Sequence, residues 1–192
     1  MTEKEKMLAG EWYNANFDKD LFEERMKVKD LCCQLNQTLP SHLKQRIDIL
    51  SRILPNVDVE KVEILSPFMV DYGYNVKMGA GCFLNHNVYL MDCAEIKFGK
   101  KCFIGPNCGF YTAIHPMLIE PRNEGLEIAK PIELADNIWI GADVTILPGV
   151  KIGAGSVIGA KSLVSKDIPA GVLAFGNPCR VIKNIIDPKC EI

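Results

Sequence analysis

The chain has 192 residues, 48% of them hydrophobic, and a formal net charge of −2 at neutral pH. That length is enough for one sizeable core with a small appendage, and the charge lacks the basic excess that nucleic acid or an anionic membrane would demand. No apolar run reaches transmembrane length and the charged start MTEKEKMLAG is unlike a signal peptide, so a cytoplasmic protein is expected.

The first elements are helical. The spacing predicts a short charged helix over residues 2–9, ended by Gly10. A second helix is expected to start at an Asp20 cap, with Glu23 completing a capping box. Leu21, Val28, Cys32 and Leu35 fall along one of its faces, and Pro40 ends it. Ser41 is the expected cap of a third helix that turns Leu43, Ile47, Leu50 and Leu54 inward and closes at Pro55. Residues 1–56 thus read as a helical unit whose apolar stripes need a surface to pack on.

From about Val59 the composition turns to β-branched and aromatic residues, and from Met78 a period of six appears. Its clearest stretch is Leu134 to Ile168. Cut into sixes, every unit opens on an aliphatic residue: Leu134, Ile140, Ile146, Ile152, Ile158, Val164. The fifth place holds Ile138, Val144, Val150, Ser156, Ser162 and Ile168, and glycine often takes the second. Six fits neither an α-helix nor a flat strand; it marks a parallel β-helix, in which each unit gives one short strand and one corner. Glycine is expected where the backbone turns. Stacked coils bury a continuous apolar column that no single coil could bury. Three strands per coil give about five coils between residues 60 and 168, a prism about 24 Å tall. The general crossover rule favours a right-handed coil, and the sequence itself does not set the hand.

The repeat is interrupted. It slips near Glu95, resumes at Phe98, Ile104 and Phe110, and stops after Ile114. Residues 116–131 carry Pro116, Pro121 and Pro131 and no repeat, so they read as a loop thrown out of the prism, and loops of that length are usually functional. The tail AGVLAFGNPCRVIKNI predicts a short strand, a Gly-Asn-Pro turn and a final helical turn. Of the eight cysteines, Cys82, Cys102 and Cys108 occupy fifth places, where a small buried residue is wanted. With no CxxC pair, reduced structural thiols are expected.

The motifs DYGYN at 71–75, FLNHN at 83–87, YTAIHP at 111–116, NIWIGADVTILPGVKIGAGSVIGA at 137–160 and GNPCRVIK at 176–183, with EKEKMLAGEWY near the start, resemble those of the maltose/galactoside O-acetyltransferase family of hexapeptide-repeat acyltransferases. The resemblance covers nearly the whole chain. It implies a mainly β fold: a left-handed parallel β-helix over residues 57–192, a helical unit over 1–56 and a short C-terminal helix. It also implies a homotrimer with clefts between neighbouring prisms, and transfer of acetyl from acetyl-CoA to a hydroxyl of a sugar such as maltose, glucose or a galactoside; the count of three histidines adds the expectation that no metal is required.

Such a transfer needs a base for the hydroxyl proton, a donor for the oxyanion and alignment of both substrates. The histidines are His42, His86 and His115. His115 stands where the repeat breaks, and the match of YTAIHP to the family's catalytic segment implies that it is the general base; imidazole titrates in the right range. Asn85 resembles the acceptor-binding asparagine, although an asparagine ladder at a coil corner would look alike in sequence. Asp71 and Asp92 are further acceptor-side candidates. On the acetyl-CoA side the resemblance implies Trp139, Ala142, Ala160, Ser165, Lys166, Arg180 and Lys183, with the Ala142 amide facing the thioester carbonyl and the two last cations at the nucleotide end. Asn85 and His115 are expected on one chain's part of a cleft that a second chain completes. Ala15, Phe83 and Cys93 depart from galactoside-type members, which leaves the sugar open. Two other classes compete. A carbonic-anhydrase-like prism needs three histidine ligands around zinc, and only His86 and His115 lie in the coil. A non-catalytic binder of a sugar or nucleotide is opposed by the presence of Asn85 and His115. A cysteine nucleophile at Cys93 or Cys108 lacks an activating cation or histidine in any motif.

Overall fold

A computed structural model describes residues 1–185. It opens with α1 (Glu3–Ala9), β1 (Tyr13–Asn14), α2 (Lys19–Gln37) and α3 (Leu43–Ile53). The capping box lies at α1: the Thr2 side chain accepts from the Glu5 amide, the Glu5 carboxylate accepts from the Thr2 amide, and Gly10 closes the helix in the left-handed conformation. The expected Asp20 cap is corrected to Asp18, whose carboxylate accepts from the Leu21 amide at 2.8 Å. The third helix is also turned from expectation. Leu43 is 67% exposed and Ile47 borders on exposed, while Arg46, Ile49, Leu50 and Ile53 face inward. Its N-cap is His42, which makes no side-chain cap bond, rather than Ser41.

The reason for that rotation lies in the prism. Its first turn comprises β2 (Glu63–Ile64), β3 (Phe68–Val70) and β4 (Val76–Met78); its second, β5 (Phe83–Leu84), β6 (Val88–Met91) and β7 (Ile96–Phe98). The third begins with β8 (Phe103–Ile104) and β9 (Gly109–Tyr111), leaves the coil through β10 (Ala113–Ile114), α4 (Ile119–Asn123) and β11 (Leu126–Ala129), and returns at β12 (Ile132–Leu134). The fourth is β13 (Trp139–Ile140), β14 (Thr145–Ile146) and β15 (Lys151–Ile152). The fifth is β16 (Val157–Ile158) and β17 (Leu163–Val164), closed by a bridge from Ile168 to Ile152. Then β18 (Val172–Phe175) starts a sixth, and β19 (Arg180–Asn184) pairs antiparallel with it.

Three parallel walls result. The first stacks β2, β5, β8, β13, β16 and β18; the second β3, β6, β9, β14 and β17; the third β4, β7, β12 and β15. All twelve first- and fifth-place residues of the 134–168 repeat are buried. Within the second wall Val70, Leu90, Phe110, Ile146 and Val164 form one inward column in register. Second-place glycine has a different cause from the expected one. A Cβ on Gly105 would meet the Gly141 backbone at 2.6 Å, and one on Gly141 would meet the Ala160 amide at 2.7 Å, so the close approach of the next coil excludes a side chain. The left-handed residue is the fourth of each unit, Asn87, Asn107, Asp143 and Lys161 at the same edge.

A β-helix must cover its open ends. At the first, Arg46 donates to the Ile64 and Leu35 carbonyls and to the Ser66 hydroxyl, which is what turns α3. The Asn36 amide both donates to and accepts from the Phe68 backbone. Cys32, Leu35, Ile49, Leu50 and Ile53 share one core cluster with the walls. At the other end β19 covers β18, so residues 180–184 are a strand where a helical turn was expected; the remainder of the expected C-terminal helix lies outside the described residues. No helix among the described residues is long and apolar enough to cross a membrane.

Candidate active site

The extruded segment is not an open loop. β11 pairs antiparallel with β10 on one side and with β1 of the N-terminal unit on the other, a three-stranded sheet standing off the edge between the second and third walls. Its register sets Ala113 against Ala129 and Ile114 against Ile128, so His115 comes next to Glu127. The His115 Nδ1 is 2.9 Å from the Leu126 carbonyl, which can only accept; the neutral ring therefore carries its proton there and keeps Nε2 as a base. Nε2 lies 3.5 Å from the Glu127 carboxylate, and the imidazole is 42% exposed. Glu127 is buried, and its other oxygen accepts a short hydrogen bond from the Tyr13 hydroxyl. Tyr13 is wholly buried. Burial, and then the neighbouring Cys93 and Glu127, push its phenol well up, so it remains a donor.

Asp71 and Asp92 belong to the same edge. Asp71 is buried, accepts from the Tyr89 hydroxyl at 3.0 Å and lies 3.7 Å from Lys29 Nζ. Asp92 is wholly inside: its oxygens accept from the backbone amides of Tyr72 and Asn75, and burial pushes its carboxyl up to about 7. It fastens the 72–75 turn and has no face toward a ligand, which corrects its expected place among acceptor groups. Ala15 and Cys93 pack with Tyr13 and Tyr72 in a small apolar cluster behind this edge.

The other set of expected residues lies elsewhere. A groove of about 480 Å³ runs over the outer face of the first wall, lined by Trp139, Ala142, Val157, Ala160, Leu173 and Lys183 among others. The Ala142 amide has no partner among the described residues, because the turn spends its hydrogen bonds on Asp143 N to Pro106 O and Lys161 N to Ala142 O. Along the edge between the first and second walls, the Asn85, Gly105, Gly141 and Gly159 amides each donate one coil onward, to Ile104, Ile140, Ile158 and Ala174. Asn85 is thus in line with the groove. Its Oδ1 accepts from the His86 amide at 2.7 Å and its side-chain NH2 has no partner among the described residues. The asparagine ladder at this edge is Asn87 to Asn107, at 2.9 Å, not Asn85.

His115 and Asn85 therefore stand on different edges, with the width of the second wall between them: six residues, about 20 Å at full extension. That corrects the expectation that one chain brings them together. Ser165 and Lys166 follow β17, exposed, on the His115 edge and outside the groove. Arg180 opens β19 and donates to the Cys179 carbonyl at 2.8 Å; it is exposed and does not line the groove.

Residues 6–58 match the family model described as the maltose acetyltransferase hexapeptide capping motif, and residues 131–166 the bacterial transferase hexapeptide (six repeats). A Staphylococcus aureus (strain MRSA252) protein named as an acetyltransferase is 52% identical over 185 residues, 96% of this chain and 92% of its own. The crystal structure of a maltose O-acetyltransferase from Clostridium difficile 630 is 42% identical and superposes with a TM-score of 0.92, over 97% of this chain and 99% of that one. The chain belongs to the maltose/galactoside O-acetyltransferase family. A galactoside acetyltransferase in complex with coenzyme A is 34% identical, with a TM-score of 0.86 over 96% and 92% of the two chains. This family member is thus an acetyltransferase on the left-handed hexapeptide β-helix, against the general crossover rule.

Sequence reasoning missed Glu127 and Tyr13. A signal existed: LEIA after Gly125 alternates in strand fashion, with one carboxylate among apolar residues. What it lacked was the pairing partner, since register across an extruded loop is not written in either strand alone.

Proposed function

We propose that this acetyltransferase moves the acetyl group of acetyl-CoA to a hydroxyl of a sugar such as maltose, glucose or a galactoside, within a homotrimer. The observation that carries this is the division of the site. The thioester-side groove, the free Ala142 amide and Asn85 occupy one edge of the prism; His115, Ser165 and Lys166 occupy the next. An imidazole and an amide on different edges of one prism, with the width of a wall between them, cannot act on one hydroxyl. Two different edges meet only when the first edge of one prism faces the second edge of another, a heterologous contact that closes into a ring; a triangular prism suits three copies. The outward faces of Phe83, Phe103 and Trp139, stacked in register on the first wall with Phe103 at 52% and Trp139 at 49% exposure, are apolar surface that such a contact would cover.

In each cleft Asn85 holds the acceptor with its unpartnered NH2. The His115 Nε2 takes the hydroxyl proton as the oxygen attacks the thioester carbonyl. The Ala142 N–H donates to the oxygen on which charge gathers. As the C–S bond breaks, the proton passes from the imidazolium to the departing sulfur, so protons balance without an acyl-enzyme. Trp139, Val157 and Leu173 give the groove an apolar wall for the pantetheine arm, Lys183 supplies a cation at its lining, and Arg180, exposed at the start of the same strand, supplies a second beyond it for the phosphates. The seven described cysteines are unpaired, which suits a reducing cytoplasm. The test is release of free coenzyme A from acetyl-CoA against a panel of sugars and other alcohols. Sugar-dependent release supports the reading; release that no sugar raises above hydrolysis contradicts it.

A further inference from the structure

We infer that Glu127 is the positioning residue of His115, and that Tyr13 of the N-terminal unit holds Glu127 in place, which makes that unit a working part of the site rather than only a cover for the coil. This rests on His115 being the base. The geometry is a chain of contacts from outside the prism to its reactive nitrogen: Tyr13 hydroxyl to one oxygen of Glu127, and the other oxygen 3.5 Å from His115 Nε2. It follows from register, because Tyr13 pairs with Glu127 across β1 and β11 and His115 extends β10 along the opposite side of β11.

The chemistry follows from charge. While the ring is neutral, its Nε2 lone pair and the carboxylate have nothing to share. When Nε2 takes the acceptor proton, a positive charge appears on the ring 3.5 Å from a carboxylate oxygen that is already in place. The imidazolium that forms in the reaction is thereby favoured over the resting ring, which is the condition for lowering a barrier. Tyr13 occupies the carboxylate's second oxygen, so the carboxylate cannot swing away. Other titratable groups reach this chain from each neighbouring element: Cys93 after β6 and Asp71 after β3, with Arg25 and Lys29 of α2 engaged by Tyr72, Ala15 and Asp71. None of them lies between Glu127 and the ring.

The experiment compares Glu127→Gln, Tyr13→Phe and His115→Ala as full-length enzyme, in steady-state kinetics across pH. Glu127→Gln keeps the shape and removes the charge. Its kcat should fall about tenfold or more. The acid limb of its pH–rate profile should move to lower pH, because the protonated ring has lost its counter-charge, while KM for acetyl-CoA stays put. Tyr13→Phe keeps the charge and frees the carboxylate: kcat should fall by a smaller factor with the limb nearly unmoved. A purely structural Glu127 would shift stability and no limb. Wild-type kcat and profile in both variants, with His115→Ala inactive, would overturn the inference and leave the proposed function standing. Normal turnover by His115→Ala would remove the function beneath it as well.

Discussion

The two working edges of this prism are made in opposite ways. The edge that carries the groove is the repeat itself. Gly105, Gly141 and Gly159 let successive coils approach, the fourth place turns in the left-handed conformation, and the free amide at Ala142 falls out of that geometry. The His115 edge is made where the repeat fails: β10, α4 and β11 leave the coil, β1 arrives from another part of the chain, and the polar groups come from separate segments of the chain. A surface built by repetition offers the same backbone donors whatever the side chains, and suits a co-substrate that never changes. A surface built by interruption can be altered one segment at a time, and suits an acceptor that does. The replacements at Ala15 and Cys93 both lie behind the second edge.

The contrast can be broken most severely at His115. The His115→Ala enzyme should turn over about 10² to 10⁴ times more slowly, the usual range for a lost general base, with acetyl-CoA affinity by calorimetry almost unchanged; a large loss of affinity would mean that the edges are not separate in function. The reciprocal change is Ala160→Leu in the groove, expected to raise KM for acetyl-CoA about tenfold, equivalent to about 1.4 kcal/mol, and to leave the acceptor KM alone. An equal change in both constants would argue against the division.

A smaller effect is expected from the loop. Replacing residues 118–124 with a short turn removes α4 and spares β11. Fold and assembly should survive and the acceptor KM should rise several-fold, whereas removing 116–131 entire should also release β1, seen as new proteolysis before α2. The least effect concerns Asp92. Its folded carboxyl is pushed up to about 7 by burial, above the unfolded value of about 3.9. The native state therefore holds that proton to higher pH than the unfolded chain, and stability falls as pH rises from about 4 toward 7. The melting temperature of Asp92→Asn relative to the parent should climb across that window; a flat difference would show that the backbone amides of Tyr72 and Asn75 already offset the burial.

What was legible in the sequence follows the same division. The hexapeptide period located the walls and the core columns, because one rule repeated many times leaves a pattern, and the groove residues Trp139, Ala142 and Ala160 came from the resemblance of 137–160 to the family. The second edge left none. Arg46 rotated α3 because carbonyls of another segment drew it in, which helical spacing alone could not show. Asp92 looks in sequence like any acid near a site, and only the 72–75 turn reveals that its oxygens are taken. The assignment of Asn85 and His115 to one chain's part of a cleft failed for a simple reason: their motifs were read as neighbours in a family pattern, and the strands between them had not been counted onto walls.

The central claim is that each active site takes Asn85 from one prism and His115 from another. It is tested by mixing subunits. Asn85→Ala and His115→Ala chains, each nearly inactive alone, are unfolded together, refolded and assayed. If the cleft is shared, about a quarter of the sites in random trimers combine an intact edge from each parent, and activity should recover to about that fraction of the native rate. If the mixture stays at the level of its parents while trimers form normally, both residues act from one chain and the account is wrong.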